Sequence, residues 1–133
     1  MAKVAKEVAK AAFEKWLDFK KISAEKRESS KEFENTIISG ICSGELILNE
    51  NHTIDYKVNL ESDSGEIIVD KLTFKPRIRV KDLNAKMQGL KADDAEGRVV
   101  GYVAAVTGQN RGVIANLYID QYAICQSIVM YFL

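Results

Sequence analysis

Catalysis in a chain of 133 residues needs a nucleophile beside a base, paired carboxylates or a metal cage. The candidates here are few. His52 is the only histidine, and it lies in Asn49-Glu50-Asn51-His52, a stretch of turn chemistry with no evident catalytic partner. Asp93, Asp94 and Glu96 cluster where a helix is predicted to start, and acids there stabilise the helix dipole. Gly97, Gly101, Gly108 and Gly112 match neither GxxxxGK[ST] nor GxGxxG. Gly97 and Gly101, four apart in a predicted helix, point to close helix packing instead. Cys42 and Cys125 sit in apolar surroundings outside any CxxC pair, and one histidine gives no zinc-ligand spacing. They read as two buried thiols in a reducing compartment. The expectation is a non-enzyme with no catalytic residue, no metal and no cofactor.

Two features point to binding rather than catalysis. Lys75, Arg77, Arg79 and Lys81 alternate with Phe74, Pro76, Ile78 and Val80. In an extended segment the four cations share one face. That face is a candidate edge for an anionic partner, or a solvated face whose charges block edge-to-edge aggregation. The second feature is N-terminal. Ala5, Ala9, Phe13, Trp16 and Leu17 recur at helical spacing, with Val4, Val8 and Ala12 beside them. The stripe of Phe13, Trp16 and Leu17 can be plain core, can exchange with another copy, or can enter a partner's groove.

The elements that position these residues follow from periodicity. Residues 2–28 hold no Gly or Pro and are rich in Ala, Lys and Glu, so they predict one long helix. Ser23 to Lys31 is polar and reads as a fraying end and hinge, with Ser29 or Ser30 capping a short helix through Phe33. The expected division is an N-terminal helical arm over 1–30 and a compact body over 31–133. Glu45–Asn49, Thr53–Leu60 and Glu66–Phe74 predict three strands joined by turns. Pro76 ends the third. Helical spacing then returns: Leu83, Met87 and Leu90; a helix capped by Asp93 or Asp94 and stopped at Gly108; a turn or two near Val113, Ile114 and Leu117; and a last helix from Asp120. The fold class is α+β: a long N-terminal helix, a small antiparallel β-meander and a helical C-terminal part.

Composition narrows the function. The chain has 19 Lys and Arg against 19 Asp and Glu, so its net charge is zero. A general nucleic-acid binder needs a basic surface, and neutrality favours self-association. Charges recur every few residues in the N-terminal stretch, unlike a secretory signal peptide. No apolar run approaches the ~18 residues of a membrane span.

Leu72-Thr73-Phe74-Lys75-Pro76 followed by Asp82-Leu83 resembles a signature of strand, proline and Asp-Leu. Val106-Thr107-Gly108, then Ile114, Leu117 and Asp120-Gln121-Tyr122, resembles a signature of hydrophobic-Thr-Gly, leucine and Asp-x-Tyr. In this order, over residues 53–133, they resemble the small tail assembly chaperones of long-tailed bacteriophages, including Mu-like phages. The resemblance implies a protein of the host bacterial cytoplasm that binds the long, helical, aggregation-prone tape measure protein. It would keep that protein soluble until the tail tube polymerises around it. Some such chaperones also exist in a longer, frameshifted form. The partners expected are the tape measure protein, further copies of the chain and the tail tube protein, with no nucleic acid and no membrane. The partner-binding candidates are Tyr118, Tyr122, Ile128 and Phe132 of the C-terminal helices, with Phe13, Trp16 and Leu17. The rival expectation is a tail or neck component that self-assembles and stays in the virion.

Overall fold

The N-terminal run predicted as one helix is two helices set at a corner. The computed structural model describes residues 4–133, so the start of that predicted helix lies outside the described residues. Helix α1 is Lys6–Phe19 and α2 is Ala24–Ser29. Between them Lys21 takes a left-handed conformation, φ 57°. The Ser23 hydroxyl then restarts the helix by accepting from the Lys26 amide at 3.1 Å. Arg27 fastens the corner. Its Nη2 meets Asp18 at 2.8 Å and its Nε donates to the Ile22 carbonyl at 3.0 Å.

Helix α3, Lys31–Ser43, runs ten residues beyond the predicted stop at Phe33. It carries Ile37, Ile38 and Ile41 into the core and ends at Gly44, whose φ of 86° suits glycine. Gly40 has a separate reason to be small. A Cβ there would stand 2.7 Å from Leu46 Cδ1, so glycine lets the first strand cross close to the helix.

Strands β1 (Leu46–Leu48), β2 (Ile54–Glu61) and β3 (Ile67–Phe74) form one antiparallel sheet in that order. The alternation predicted for β2 is observed: Ile54, Tyr56, Val58 and Leu60 point inward, while Lys57, Asn59 and Glu61 are exposed. Asn59, φ 45°, lies where the β2–β3 register shifts between Lys57 and Leu60. On the outer face, burial works against the charge of Asp55. Hydrogen bonds from Asn49 (3.1 Å) and Thr73 (2.8 Å), with Lys71 nearby (3.5 Å), outweigh it and hold the carboxyl below its ordinary value.

The rest is helical: α4 (Val80–Met87), α5 (Ala95–Thr107), α6 (Arg111–Ala115) and α7 (Ile119–Val129), closed by a 3₁₀ turn at Met130–Phe132. Asp94 caps α5 by accepting from Gly97 N at 2.9 Å, and Gly108, φ 72°, ends it. The helix packing inferred from Gly97 and Gly101 holds at Gly101. A Cβ there would stand 2.7 Å from Met87 Sδ, so its absence lets α4 lie on α5.

The core lies between the inner sheet face and helices α1, α3, α5 and α7. Phe13 and Trp16 stack at 5.6 Å between ring centroids, and Tyr131 meets Phe13 edge-on at 5.5 Å. The expected division at residue 30 does not describe this packing. Ala9, Phe13, Trp16 and Leu17 are at most 2% exposed, and Val4 N donates to the Cys42 carbonyl at 3.1 Å. Trp16 Nε1 donates to the His52 carbonyl, and Tyr131 Oη to the Ser30 carbonyl. Helix α1 is part of the body rather than a detached arm. After the turn at Lys20–Ser23 the apolar stripe of α1 lies against α3 and Tyr131.

Candidate functional site

A groove of about 640 Å³ lies where three remote segments meet: the end of α1, the β3–α4 connection and the C-terminal turn. Ile22, Ile78, Leu83, Tyr102, Tyr131 and Phe132 give it an apolar lining. Lys20, Lys21, Arg77 and Arg79 line it too, and among the described residues no carboxylate does. Phe19 and Val80 carry apolar surface past its rim, 42% and 76% exposed.

Local folding explains each wall. Helix α1 cannot continue through the left-handed Lys21, so Lys20 and Lys21 turn off its end. Pro76 keeps the segment after Phe74 out of the ladder, and Lys75 N donates to the Val106 carbonyl at 3.1 Å. Residues 75–79 are therefore an irregular connection, bent at Pro76 and tied to the end of α5, not a strand edge. The 3₁₀ turn brings Tyr131 and Phe132 against α1.

Lys20 is the electrostatic centre of the groove. Its Nζ donates to the Pro76 carbonyl at 2.7 Å and lies 3.7 Å from the Phe132 ring centroid and 5.5 Å from that of Trp16. Burial, and then the Arg77 guanidinium, push its ammonium down from 10.5 to about 8. None of the four groove cations forms an ion pair within the described residues.

The four-cation edge read from the sequence divides. Arg77 and Arg79 line the groove. Lys75 runs past Gly108 and Lys81 stands exposed in the first turn of α4, and neither lines it. The groove takes its other two cations, Lys20 and Lys21, from α1. Sequence reasoning missed them: 56 residues separate Lys20 from Pro76.

The apolar candidates also scatter. Phe13, Trp16, Leu17 and Ile128 are core side chains. Phe132 is half-buried in the groove, whereas Tyr118 is 68% exposed at the start of α7. Tyr122 borders a second hollow of about 430 Å³ between α5, α6 and α7. Its hydroxyl is buried without a hydrogen-bond partner, and burial, with Glu96 and Cys125 nearby, raises its pKa. Ile119, 89% exposed, and Asp94 and Glu96 also line this hollow.

The remaining chemistry candidates have structural surroundings. His52 takes φ 68° in its turn and stacks on Phe19, 3.8 Å between centroids. Cys125 is buried, and burial lifts its thiol to about 12. Cys42, expected to be buried, is half-buried. Among the described residues no group of three His, Cys, Asp or Glu side chains stands close enough to hold a metal ion. No helix there is long and apolar enough to cross a membrane. No family model, curated protein or solved structure matches the chain.

Proposed function

We propose that this chain is a non-catalytic tail assembly chaperone of the long-tailed-bacteriophage type. It binds the tape measure protein in the host cytoplasm and keeps it soluble while the tail assembles. The observation that carries the reading is the groove: an apolar floor continuing onto exposed Phe19 and Val80, with four cations and, among the described residues, no carboxylate. Exposed apolar side chains beside a hollow gain free energy only when a partner covers them. A holding protein must also let go, and an open groove provides many modest contacts rather than one deep anchor.

Of the two segments that resemble the chaperone signatures, the first supplies Pro76 and Leu83 to this surface, and the second lies outside it. Leu72 and Phe74 anchor β3 in the core, so the connection at Pro76 leaves the sheet at the groove. Thr107 and Gly108 end α5, and the Thr107 hydroxyl donates to the Val103 carbonyl at 2.7 Å. Gln121, between Asp120 and Tyr122, ties α7 to the sheet by donating to the Val58 carbonyl at 3.0 Å. Further copies of the chain and the tail tube protein are proposed as secondary partners.

The test is co-expression with the tape measure protein encoded beside this gene, followed by a soluble pull-down. Recovery of a soluble complex, with the chain absent from finished particles, supports the proposal. An insoluble tape measure protein, with the chain retained in mature particles, replaces the proposal with a structural virion component.

A further inference from the structure

We infer that the groove holds an acidic amphipathic helical segment of the partner protein, its apolar side chains on the groove floor and its carboxylates against Lys20, Lys21, Arg77 and Arg79. The inference rests on the proposed function only for the partner being a protein. Its own basis is charge and shape.

Four cations from two distant segments converge on one groove, and among the described residues no carboxylate lines it. This imbalance is local, because the whole chain carries equal numbers of each sign. Lys20 makes the imbalance sharpest. Its ammonium is half-buried, donates only to a neutral carbonyl and lies against an aromatic ring. A partly desolvated cation next to Arg77 is relieved by an incoming carboxylate, which restores opposite charge where burial removed water.

The apolar half of the ligand follows from the rim. A small free anion would satisfy the cations but leave Phe19 and Val80 exposed. A phosphate backbone would do the same, and it calls for a broad basic surface that a neutral chain lacks. A helix with leucines along one stripe and glutamates flanking it presents both chemistries together.

The probe is a fluorescein-labelled peptide of about 16 residues with leucines at i, i+3, i+4 and i+7 and glutamate at the flanking positions. Its counterpart carries lysine in place of glutamate. Fluorescence anisotropy with the full chain reads the affinity. The expected result is binding of the glutamate peptide at least about tenfold tighter than the lysine peptide. Arg77→Glu with Arg79→Glu lowers that affinity about tenfold or more, while Lys57→Glu on the outer sheet face leaves it unchanged. Circular dichroism of the double variant shows whether it is folded; if it is not, Lys21→Glu serves in its place. Equal affinity for the two peptides overturns the inference, as does indifference to the groove variants. Two other results overturn it: tighter groove-dependent binding of a single-stranded oligonucleotide, and occupation of the groove by a second copy, seen as a dimer that the groove variants dissociate. Loss of the inference with the co-expressed tape measure protein still soluble leaves the chaperone reading intact. Peptide binding without tape measure solubility does the reverse.

Discussion

Phe13→Ala tests whether α1 is part of the body in solution. Phe13 is fully buried, stacked on Trp16 and edge-on to Tyr131, with Ala9 and Leu17 buried on the same helix. Removing a buried phenyl ring costs about 3–5 kcal/mol, because its transfer energy is lost and a cavity is left. A domain of this size is stable by only about 5–15 kcal/mol, so the variant should be severely weakened. In urea, where the slope is about 1–3 kcal/mol per molar, the midpoint should fall by roughly 2 M. Trp16 is the only tryptophan and is buried beside the mutated ring, so its emission reports the transition directly. Circular dichroism should follow the same curve. Should the alanine variant not fold, Phe13→Leu gives a smaller loss, of about 1 kcal/mol. A loss below about 0.5 kcal/mol for Phe13→Ala lies in the range of surface substitutions and would mean that α1 does not pack as described.

Three further outcomes are expected. Lys20 is held near 8 when folded and titrates at 10.5 when unfolded, so between those values the unfolded chain binds the extra proton. Lys20 therefore contributes a rise in stability with pH across that window, of about 1 kcal/mol once solvent screening of a half-exposed group is allowed for, while Cys125 and Tyr131, both raised to about 12 by burial, contribute a fall above about pH 9; the share of Lys20 is the difference between wild type and Lys20→Met in urea titrations run from pH 7 to 10.5. In Gly101→Ala the new Cβ meets the flexible end of Met87 at 2.7 Å, which can swing aside, and the Lys86 carbonyl at 3.2 Å, while alanine gains helix propensity, so the net change in urea unfolding should stay within about 1 kcal/mol. Cys125, buried and with its thiol at about 12, should react with a disulfide reagent only as fast as the chain opens, so mild urea should accelerate labelling.

The sheet was legible because its code is local. Alternation in β2 assigns each side chain to a face, and Asn49–His52 and Ser62–Gly65 are turn-rich. The ends of α5 were legible for the same reason, since Asp94 and Gly108 are cap chemistry at both termini. The break between α1 and α2 was not. Lys20, Lys21 and Ile22 carry no breaker, and the turn is held by Arg27 reaching back to Asp18 and Ile22. Helix α3 was expected to stop at Phe33 but continues through Gly40, whose missing side chain admits Leu46. Phe13, Trp16 and Leu17 showed an apolar stripe but not its destination, which depends on Tyr131, more than a hundred residues away. The groove was half legible. Arg77 and Arg79 were in view as cations, but Lys20 and Lys21 reach them only through tertiary packing.

The most direct test of the account compares the wild-type chain with the Arg77→Glu/Arg79→Glu variant, each co-expressed with the tape measure protein, by the amount of tape measure protein in the soluble fraction. The account expects a soluble, co-purifying tape measure protein with the wild type and an insoluble one with the variant, whose Trp16 emission stays that of a folded chain. A tape measure protein that is insoluble with the wild type, or equally soluble with both, would contradict it.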